Sequence, residues 1–275
     1  MKLASTLQDV PETMLWTLHN RAVEAMRPDG IIQDPTCVEI YRSISYDYER
    51  HFGKAEPSHA IRSLQFDRAI RQFLRRHPEG TIVNLGEGLE TQRFRFHGDR
   101  ARWLTVDLPE AIEIRERFIE PDQRHLHCPV SALDRKWFDW VPRDRAVFIS
   151  AQGLFMYFEE REVRQLVRDL FDTFAEGVLM FDSIPRWLSR RTLSTQGWKK
   201  TPHYRTPRMP WGLNRNEIGP TLSQWSDKIT RIEEATYAEF PRGLVRWLFP
   251  LFLALPVLGN YAPTNNIVYF EGGGL

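Results

Sequence analysis

Cysteine is scarce in this chain, with two residues, Cys37 and Cys128, among 275. Two cysteines are too few for a disulfide framework or a cysteine-based metal cluster, so we expect reduced thiols, no bound metal and a cytoplasmic protein. An excess of one charge is also lacking, because the formal net charge is +1. We therefore expect no electrostatic surface for nucleic acid or for an anionic membrane.

Long apolar runs are missing as well. Asp9, Pro11 and Glu12 interrupt the amino-terminal residues, which therefore lack the apolar core of a signal peptide. The longest apolar stretch, residues 244–258, contains Arg246 and two prolines, and it is too short to span a bilayer. We expect this stretch to face the core or to line a pocket, with contact to a membrane as the alternative.

Short apolar runs and amphipathic segments alternate beyond residue 78. Residues 5–77 show the spacing of helices instead, with a turn at residues 28–30. The sequence predicts strands at 82–85, 102–106, 124–128, 146–150, 177–181, 229–237 and 267–270, and helices at 109–118 and 159–174. This alternation predicts an α/β fold with a doubly wound, mostly parallel, Rossmann-like sheet.

The chain is predicted to form a single domain over residues 1–275. It would consist of a helical cap at 1–78, a cofactor-binding core at 79–185, an insertion at 186–228 and carboxyl-terminal strands at 229–275. The insertion follows the fifth strand and has no clear period, but it is too rich in tryptophan for a disordered linker. We therefore expect it to form a lid or a substrate wall.

The segment TIVNLGEGLETQRFR at residues 81–95 predicts a strand, a tight glycine turn and the start of a helix. Gly86 and Gly88 would let a ligand approach the main chain closely, at the amino terminus of that helix. Thr91 occupies the place of the third glycine in a dinucleotide-binding GxGxxG motif, which weakens a nicotinamide interpretation. A purely structural turn is the alternative.

Two further segments follow predicted strand ends. Asp107 ends the second strand, where an acid can accept hydrogen bonds from both ribose hydroxyls, and it could equally cap the helix that begins at Pro109. The segment SAQGLFMYF at residues 150–158 follows the fourth strand. Gln152 and Tyr157 are expected to face the crevice at the strand ends. Tyr157 could instead be a half-buried packing residue.

These segments together resemble class I S-adenosylmethionine-dependent methyltransferases. More narrowly, they are similar to the leucine carboxyl methyltransferase superfamily, in its branch of O-methyltransferases of tetracenomycin polyketide synthesis. The blocks LGEGLETQRFR, TVDLPEAI and SAQGLFMYF carry the resemblance, together with IRSLQFDRAIRQFL upstream and FDSIPRW downstream. The resemblance implies the methyltransferase fold, S-adenosyl-L-methionine as cofactor and a methyl acceptor as substrate.

The resemblance also implies roles for individual residues. Arg62 would bind the methionyl carboxylate of the cofactor, where a guanidinium can form a charge-assisted pair. The cofactor-binding set that it implies is Arg62, Gly86, Glu87, Gly88, Asp107, Leu108, Ser131, Ala132 and Gln152. Glu90, Gln92 and the pair Ser131-Ala132 depart from the family pattern, and Asp134 could replace the missing adenine-contacting acid.

Catalytic residues are not identified by the sequence, and the candidates are His203, Tyr204 and Tyr157. A carboxylate acceptor needs no general base, whereas a phenol, with a pKa near ~10, would benefit from a base or a nearby cation. The candidate substrate-binding residues are Tyr157, Arg186, Tyr204, Arg208 and Trp211. His51 and His59 are expected to be ordinary surface residues.

The function expected from this resemblance is methyl transfer to a carboxylate or hydroxyl oxygen of a small molecule, aromatic or polyketide-like. Three alternatives remain at this point: an NAD(P)-dependent oxidoreductase, a non-catalytic scaffold that binds S-adenosylmethionine, and a protein carboxyl methyltransferase. The sequence leaves the oligomeric state open.

Overall fold

The computed structural model describes residues 10–237, 239–255 and 257–271. Four helices precede the sheet, as the spacing of apolar residues predicts from residue 10 onward, and residues 5–9 of that prediction lie outside the described part. Asp34 caps the second helix by accepting a hydrogen bond from the main-chain N–H of Cys37 over 3.0 Å. The helices are α1 (Val10–Ala25), α2 (Pro35–Ser43), α3 (Tyr48–Phe52) and α4 (Ser58–Arg76).

One seven-stranded sheet forms the centre of the fold, in the order β3-β2-β1-β4-β5-β9-β8. The five strands β3, β2, β1, β4 and β5 are parallel, whereas β9 runs antiparallel to both β5 and β8. The prediction of a mostly parallel sheet is confirmed. The strands of this sheet are β1 (Thr81–Leu85), β2 (Arg102–Asp107), β3 (His125–Pro129), β4 (Val147–Ala151), β5 (Glu176–Ser183), β8 (Ile229–Thr236) and β9 (Thr264–Glu271), and β6 (Lys199–Thr201) and β7 (Tyr204–Arg205) form a separate hairpin.

Among the described residues, five further α-helices connect or follow the strands. Glu159 and Glu162 form a reciprocal capping box at the start of one of them, α6. The helices are α5 (Pro109–Glu116), α6 (Glu160–Thr173), α7 (Arg186–Leu193), α8 (Arg215–Ser223) and α9 (Val245–Ala254). No helix among the residues that the structure describes has the length and apolar character to cross a membrane.

Alternate strand residues supply two hydrophobic cores, one on each face of the sheet. On β1, Val83 belongs to the core that α6 and α8 cover, whereas its neighbour Ile82 faces the other side and packs with Phe66 and Ile70 of α4. Both faces of the sheet are therefore buried, which explains why the parallel strands read as nearly continuous apolar runs.

The helix predicted directly after the glycine turn is absent, and this part of the prediction is wrong. A four-residue 3-10 helix at Gln92–Arg95 stands in its place. Buried polar side chains hold this segment: Thr91 donates a hydrogen bond to Asp34 over 2.6 Å, and Gln92 donates one to Asp67 over 2.8 Å. These contacts with preceding segments replace the regular main-chain ladder, so no helix dipole points at the turn.

The apolar stretch at residues 244–258 differs from its prediction in part. Phe249 lines a cavity and Leu253 is buried, as expected. However, Leu244 is 76% exposed, Trp247 68% and Leu251 66%. Apolar residues surround α9 instead of forming one stripe. Only one face of the helix covers the cavity, so the apolar residues on its other faces are exposed.

Residues 186–228 contribute to the lining of this cavity. They contain α7, the short hairpin of β6 and β7, and α8. Leu188, Trp198, Lys200 and Met209 of this segment line the same cavity as Phe249. The structure thus places the insertion beside the carboxyl ends of the strands.

Candidate cofactor and acceptor site

A cavity of about 470 Å³ lies at the carboxyl ends of β1, β4 and β5. Open α/β sheets bind ligands at this edge, because loops and helix ends surround it there. One part of the lining is polar and comes from the strand ends and α4: Arg62, Asn84, Gly86, Gly88, Gln152, Gly153 and Asp182. The other part is mostly apolar and aromatic: Met14, Trp16, Met156, Ile184, Leu188, Trp198, Met209, Phe240 and Phe249.

The glycine turn adopts a backbone that requires glycine. Gly86 has a φ of +62° and Gly88 a φ of +54°. A Cβ at Gly86 would lie 2.8 Å from Leu154 Cδ1, and one at Gly88 would lie 2.7 Å from Met14 Cγ. Gly86 and Gly88 line the cavity, so the main chain of the turn forms part of its surface. A side chain at either position would be strained by its backbone and would displace Leu154 or Met14.

Asp107 lies beside this turn, as the sequence predicts for neighbouring strand ends. Its Oδ2 accepts a hydrogen bond from the N–H of Gly88 over 2.8 Å, and its Oδ1 accepts one from the N–H of Leu108 over 2.8 Å. Burial raises the pKa of the Asp107 carboxyl, although both main-chain bonds oppose that shift. Leu108 is the residue directly before α5, and its side chain packs in the amino-terminal core.

Glu87, between the two glycines, directs its carboxylate to protein groups. Oε1 accepts a hydrogen bond from Asn84 Nδ2 over 2.9 Å, Oε2 accepts one from the Thr105 hydroxyl, and Arg115 lies 3.2 Å away. Burial raises the pKa of Glu87 against the charge of Arg115. The structure therefore leaves the main chain of Glu87, and not its carboxylate, for a ligand.

Arg62 links α4 to the end of β5. Its Nη1 donates a hydrogen bond to Asp182 Oδ2 over 2.8 Å, and the main-chain N–H of Gly153 donates one to Asp182 Oδ1. A Cβ at Gly153, whose φ is +65°, would lie 2.9 Å from Arg62 Nη1. The guanidinium is thus held in one place by the end of β5 and by the turn after β4.

Three buried polar atoms in the polar part of the lining have no hydrogen-bond partner: Asn84 Oδ1, Arg62 Nε and Gln152 Oε1. Unsatisfied buried groups are rare, because each costs about 1–3 kcal/mol. Two acceptors and a donor beside a glycine-lined turn match a ligand that carries amino, hydroxyl and carboxylate groups. The residues present therefore fit S-adenosylmethionine, a nucleoside that carries an amino acid with a free amino group and a free carboxylate.

The other predicted cofactor contacts lie further along the strand edge. Ser131 and Ala132 follow β3, and neither lines the cavity. Ser131 Oγ accepts a hydrogen bond from Leu133 N over 3.2 Å, and the carbonyl of Ala132 accepts one from Trp137 Nε1 over 3.0 Å. Asp134 lies at the surface and accepts a hydrogen bond from Lys136 N over 3.0 Å.

Among the predicted substrate and catalytic candidates, Tyr157 lines the cavity. Burial raises the pKa of its hydroxyl to about 12, against the charge of Arg62. Tyr204 instead packs in the amino-terminal core with Phe52, at a ring distance of 4.9 Å. The four remaining candidates do not line the cavity either. Trp211 is in the core under α8, and Arg186 pairs with Glu217 over 2.7 Å. Arg208 and His203 are exposed.

His59 is a residue that the sequence interpretation missed. The prediction of a surface histidine is wrong, because His59 lines the cavity and is half-buried. It lies three residues before Arg62, and this helical spacing places both on one face of α4. The spacing of three residues between His59 and Arg62 was visible in the sequence. The positions of Asp182 and Trp16 beside the cavity follow only from the tertiary structure.

The charges around the cavity are already paired. Arg21 binds Glu90 over 2.6 Å, Arg62 binds Asp182, and Lys200 binds Glu56. These are the three lysine and arginine side chains among the described lining residues. The described residues contain no cluster of side chains that could hold a metal ion.

Solved structures share this fold at low sequence identity. The CurJ carbon methyltransferase matches with a TM-score of 0.56 and 12% identity over 95% of this chain and 68% of that one. The N-methyltransferase NodS from Bradyrhizobium japonicum, in complex with S-adenosyl-L-homocysteine, matches with a TM-score of 0.51 and 11% identity over 97% of this chain and 100% of that one. The α/β fold is therefore that of a methyltransferase.

The sequence defines the family. The model described as "Leucine carboxyl methyltransferase" matches residues 14–171, more than half of the chain, and the protein belongs to that family. It is 30% identical over 204 residues to the tetracenomycin polyketide synthesis O-methyltransferase TcmP of Streptomyces glaucescens, which covers 70% of this chain and 76% of that protein. The S-adenosyl-L-methionine-dependent methyltransferase dpfgK of Gibberella zeae is 28% identical over 200 residues, 65% of this chain and 67% of that one.

The protein is accordingly an S-adenosylmethionine-dependent methyltransferase, with S-adenosylmethionine as methyl donor and a methyl acceptor as its second substrate. The expectations of fold, enzyme class and cofactor are confirmed. The nicotinamide-dependent and non-catalytic alternatives are set aside by the family.

Proposed function

We propose that the protein transfers a methyl group to a carboxylate or hydroxyl oxygen of an aromatic or polyketide-like small molecule. The observation that carries the proposal is that one cavity has lining residues of two kinds, polar ones at the strand ends and aromatic or other apolar ones from the surrounding helices and the insertion. A flat apolar acceptor would pack between Trp16, Met156, Trp198 and Phe249. The similarity to TcmP, whose name assigns it O-methylation in polyketide synthesis, supports the same acceptor class.

The polar part would hold the cofactor, which supplies an electrophilic methyl group on a sulfonium sulfur. The main chain of Gly86 and Gly88 would pack against the aminoacyl end, and Arg62 Nε would donate a hydrogen bond to its carboxylate. Asp107, at the adjacent strand end, would accept hydrogen bonds from the ribose. Gln152 Oε1 would accept a hydrogen bond from an amino group.

The apolar part would orient the acceptor and exclude water. Fixing an acceptor oxygen in a dry pocket removes much of the entropic barrier to the reaction, because the oxygen no longer has to find its partner. The insertion contributes to this enclosure through Leu188, Trp198 and Met209.

Methyl-labelled S-adenosylmethionine provides the test. We expect labelled product from a panel of aromatic hydroxy and carboxylic acids, identified by mass spectrometry, and co-purified S-adenosylmethionine or S-adenosylhomocysteine in the native protein. Trp198→Ala should reduce turnover of aromatic acceptors, whereas Trp140→Ala, which replaces an exposed residue outside the cavity, should not. Label found in lysate proteins and in no small molecule would favour a protein carboxyl methyltransferase instead.

A further inference from the structure

His59 has one ring nitrogen committed to a fixed partner. Its Nδ1 lies 2.8 Å from Nδ2 of Asn20, a residue of α1 that is 1% exposed. The orientation of the Asn20 amide is set on its other side, where the main-chain N–H of Glu56 donates a hydrogen bond to Asn20 Oδ1 over 3.2 Å. Because Oδ1 is the acceptor for Glu56, the group that faces His59 is the amide NH₂, which is only a donor.

This arrangement determines the tautomer of the imidazole. A ring nitrogen that accepts a hydrogen bond carries no proton, so the neutral ring of His59 has its proton on Nε2. Burial lowers the pKa of His59 well below 6.5, and the charges of Arg62, Arg21 and Lys200 lower it further against Glu90. The ring is therefore neutral near physiological pH.

The Nε2 edge is available to a ligand. His59 lines the cavity, its ring meets Trp16 edge-on at a centroid distance of 5.3 Å, and no described residue accepts a hydrogen bond from Nε2. An N–H donor therefore lies beside the aromatic wall, one helical turn from Arg62 of the proposed cofactor part. The lysine and arginine side chains of the lining are already paired with carboxylates.

We propose that His59 Nε2–H is the hydrogen-bond donor that binds the methyl-accepting oxygen, and that the acceptor is an aromatic hydroxyl compound. This inference rests on the proposed function and specifies its substrate class. A donor held in one tautomer favours an oxygen with its lone pairs and disfavours an ammonium, which offers only protons. An aromatic hydroxyl compound enters the cavity uncharged, whereas a carboxylate enters as an anion, and the lysine and arginine side chains of the lining are already paired with carboxylates.

The donor also assists the chemistry of a phenol. The hydroxyl gives up its proton to water, and the hydrogen bond from Nε2–H stabilises the phenolate oxygen that forms, which lowers the pKa of the bound hydroxyl. That oxygen forms its bond to the methyl carbon while the bond between the methyl carbon and the sulfonium sulfur breaks, which leaves a neutral thioether. His59 would act in this way without accepting a proton itself, because Asn20 occupies Nδ1 and Nε2 is already protonated. It is therefore a binding and positioning group and not a general base.

The first test reads the tautomer directly. Nitrogen-15 NMR of histidine-labelled protein should show His59 as a neutral ring with the proton on Nε2 near ~pH 7. A proton on Nδ1, or an imidazolium, would contradict the assignment. In Asn20→Asp the new carboxylate keeps its bond to Glu56 N but accepts from Nδ1–H, so the same spectrum should show the opposite tautomer or a charged ring.

The second test measures binding by titration calorimetry to protein loaded with S-adenosylhomocysteine. The probes are 2-naphthol, 2-naphthoate and 2-naphthylmethylamine, which is an ammonium near neutral pH, and all three share one aromatic body. We expect 2-naphthol to bind most tightly and His59→Phe to weaken it by about tenfold, in keeping with one lost buried hydrogen bond. His51→Phe, a histidine outside the cavity lining, should bind 2-naphthol as the wild type does.

The outcomes separate this inference from the proposed function. A wild-type protein that binds S-adenosylhomocysteine and methylates an aromatic carboxylate, but does not favour 2-naphthol, would overturn the role of His59 and leave the proposed function standing. Equal binding of 2-naphthol by wild type and His59→Phe would do the same. Methylation of amines and of no oxygen would overturn both.

Discussion

The main-chain N–H of Gly88 donates a hydrogen bond to Asp107 Oδ2 over 2.8 Å. This bond joins the turn after β1 to the end of β2, strands that pair in parallel with Leu85 opposite Val106. The carboxylate that holds the glycine turn is thus the one that we propose as the acceptor of hydrogen bonds from the ribose. A change at Asp107 should therefore also affect the conformation of the glycine turn.

Replacement of Asp107 tests this relationship. Asp107→Ala should weaken S-adenosylhomocysteine binding by at least about tenfold, because it removes both the acceptor for the ribose and the bond that holds Gly88. Asp107→Asn, which keeps an acceptor oxygen, should lose less. Calorimetry gives the affinities, and Asp134→Ala is the matched control, since Asp134 lies at the surface and bonds to Lys136. Equal affinities for Asp107→Ala and Asp134→Ala would contradict the assignment.

The glycine turn permits a comparison of two glycines with left-handed backbones. Gly86→Val should abolish cofactor binding, because its Cβ would lie 2.8 Å from Leu154 Cδ1 and its left-handed backbone, with a φ of +62°, would be strained, so the turn would have to shift. Gly98 has a φ of +75°, but a Cβ there would meet no atom within 4 Å. Gly98→Val should cost only about 1–2 kcal/mol of backbone strain, read from urea unfolding, with binding unchanged. Normal binding by Gly86→Val would exclude the turn from the site.

The ion pair of Arg62 with Asp182 should contribute to stability as well as to binding. Arg62→Ala leaves Asp182 buried without its cation, and the free energy of unfolding should fall by about 3 kcal/mol. Arg68, on the same helix, pairs with Glu239 at an exposed site, and Arg68→Ala should cost less than about 1 kcal/mol. Urea unfolding provides both values. Similar losses for the two variants would show that the buried ion pair contributes no more to the free energy of unfolding than the exposed one.

The lowered pKa of Glu90 predicts that the free energy of unfolding depends on pH. Burial alone would raise the pKa of its carboxyl, but Arg21 and Arg95 outweigh burial and lower it from 4.5 to about 2. Because the folded-state pKa is depressed, the stabilisation is complete above the unfolded pKa and is lost as pH falls from about 4.5 to 2. The size of the effect should be roughly 3 kcal/mol.

Unfolding of wild type and Glu90→Gln can be compared between about pH 6 and pH 2. The variant should be less stable at the upper end, and its stability should change less over the acid range. If the stability of both proteins depends on pH in the same way, Glu90 does not cause the acid dependence.

Helix α9 has an exposed leucine, Leu251, and a buried one, Leu253, so the effects of replacing each can be compared within one helix. Leu251→Glu should leave the melting temperature within about 2 °C of the wild type, because Leu251 is 66% exposed. Leu253→Ala, at a residue that is 8% exposed, should cost about 2 kcal/mol or more through the cavity it leaves. Differential scanning calorimetry measures both. A large loss for Leu251→Glu would mean that this face is covered.

The amino-acid sequence by itself determined the order of helices and strands, the parallel sheet and the pairing of Gly86 and Asp107 at neighbouring strand ends. These follow from local patterns: apolar runs, glycines, and residues placed directly after strands. The helix expected after Gly88 did not follow, because the side chains of Thr91 and Gln92 bond to Asp34 and Asp67, which are distant along the chain.

Only the tertiary structure decided which side chains surround the cavity. Asp182 meets Arg62 across 120 positions of sequence, and Asn20 meets His59 across 39. Trp211 and Tyr204, which composition marks as plausible substrate contacts, pack in the cores instead. Periodicity fixes which face of a helix or strand is apolar, whereas the partner of a polar side chain depends on how the elements pack, and this information is not local.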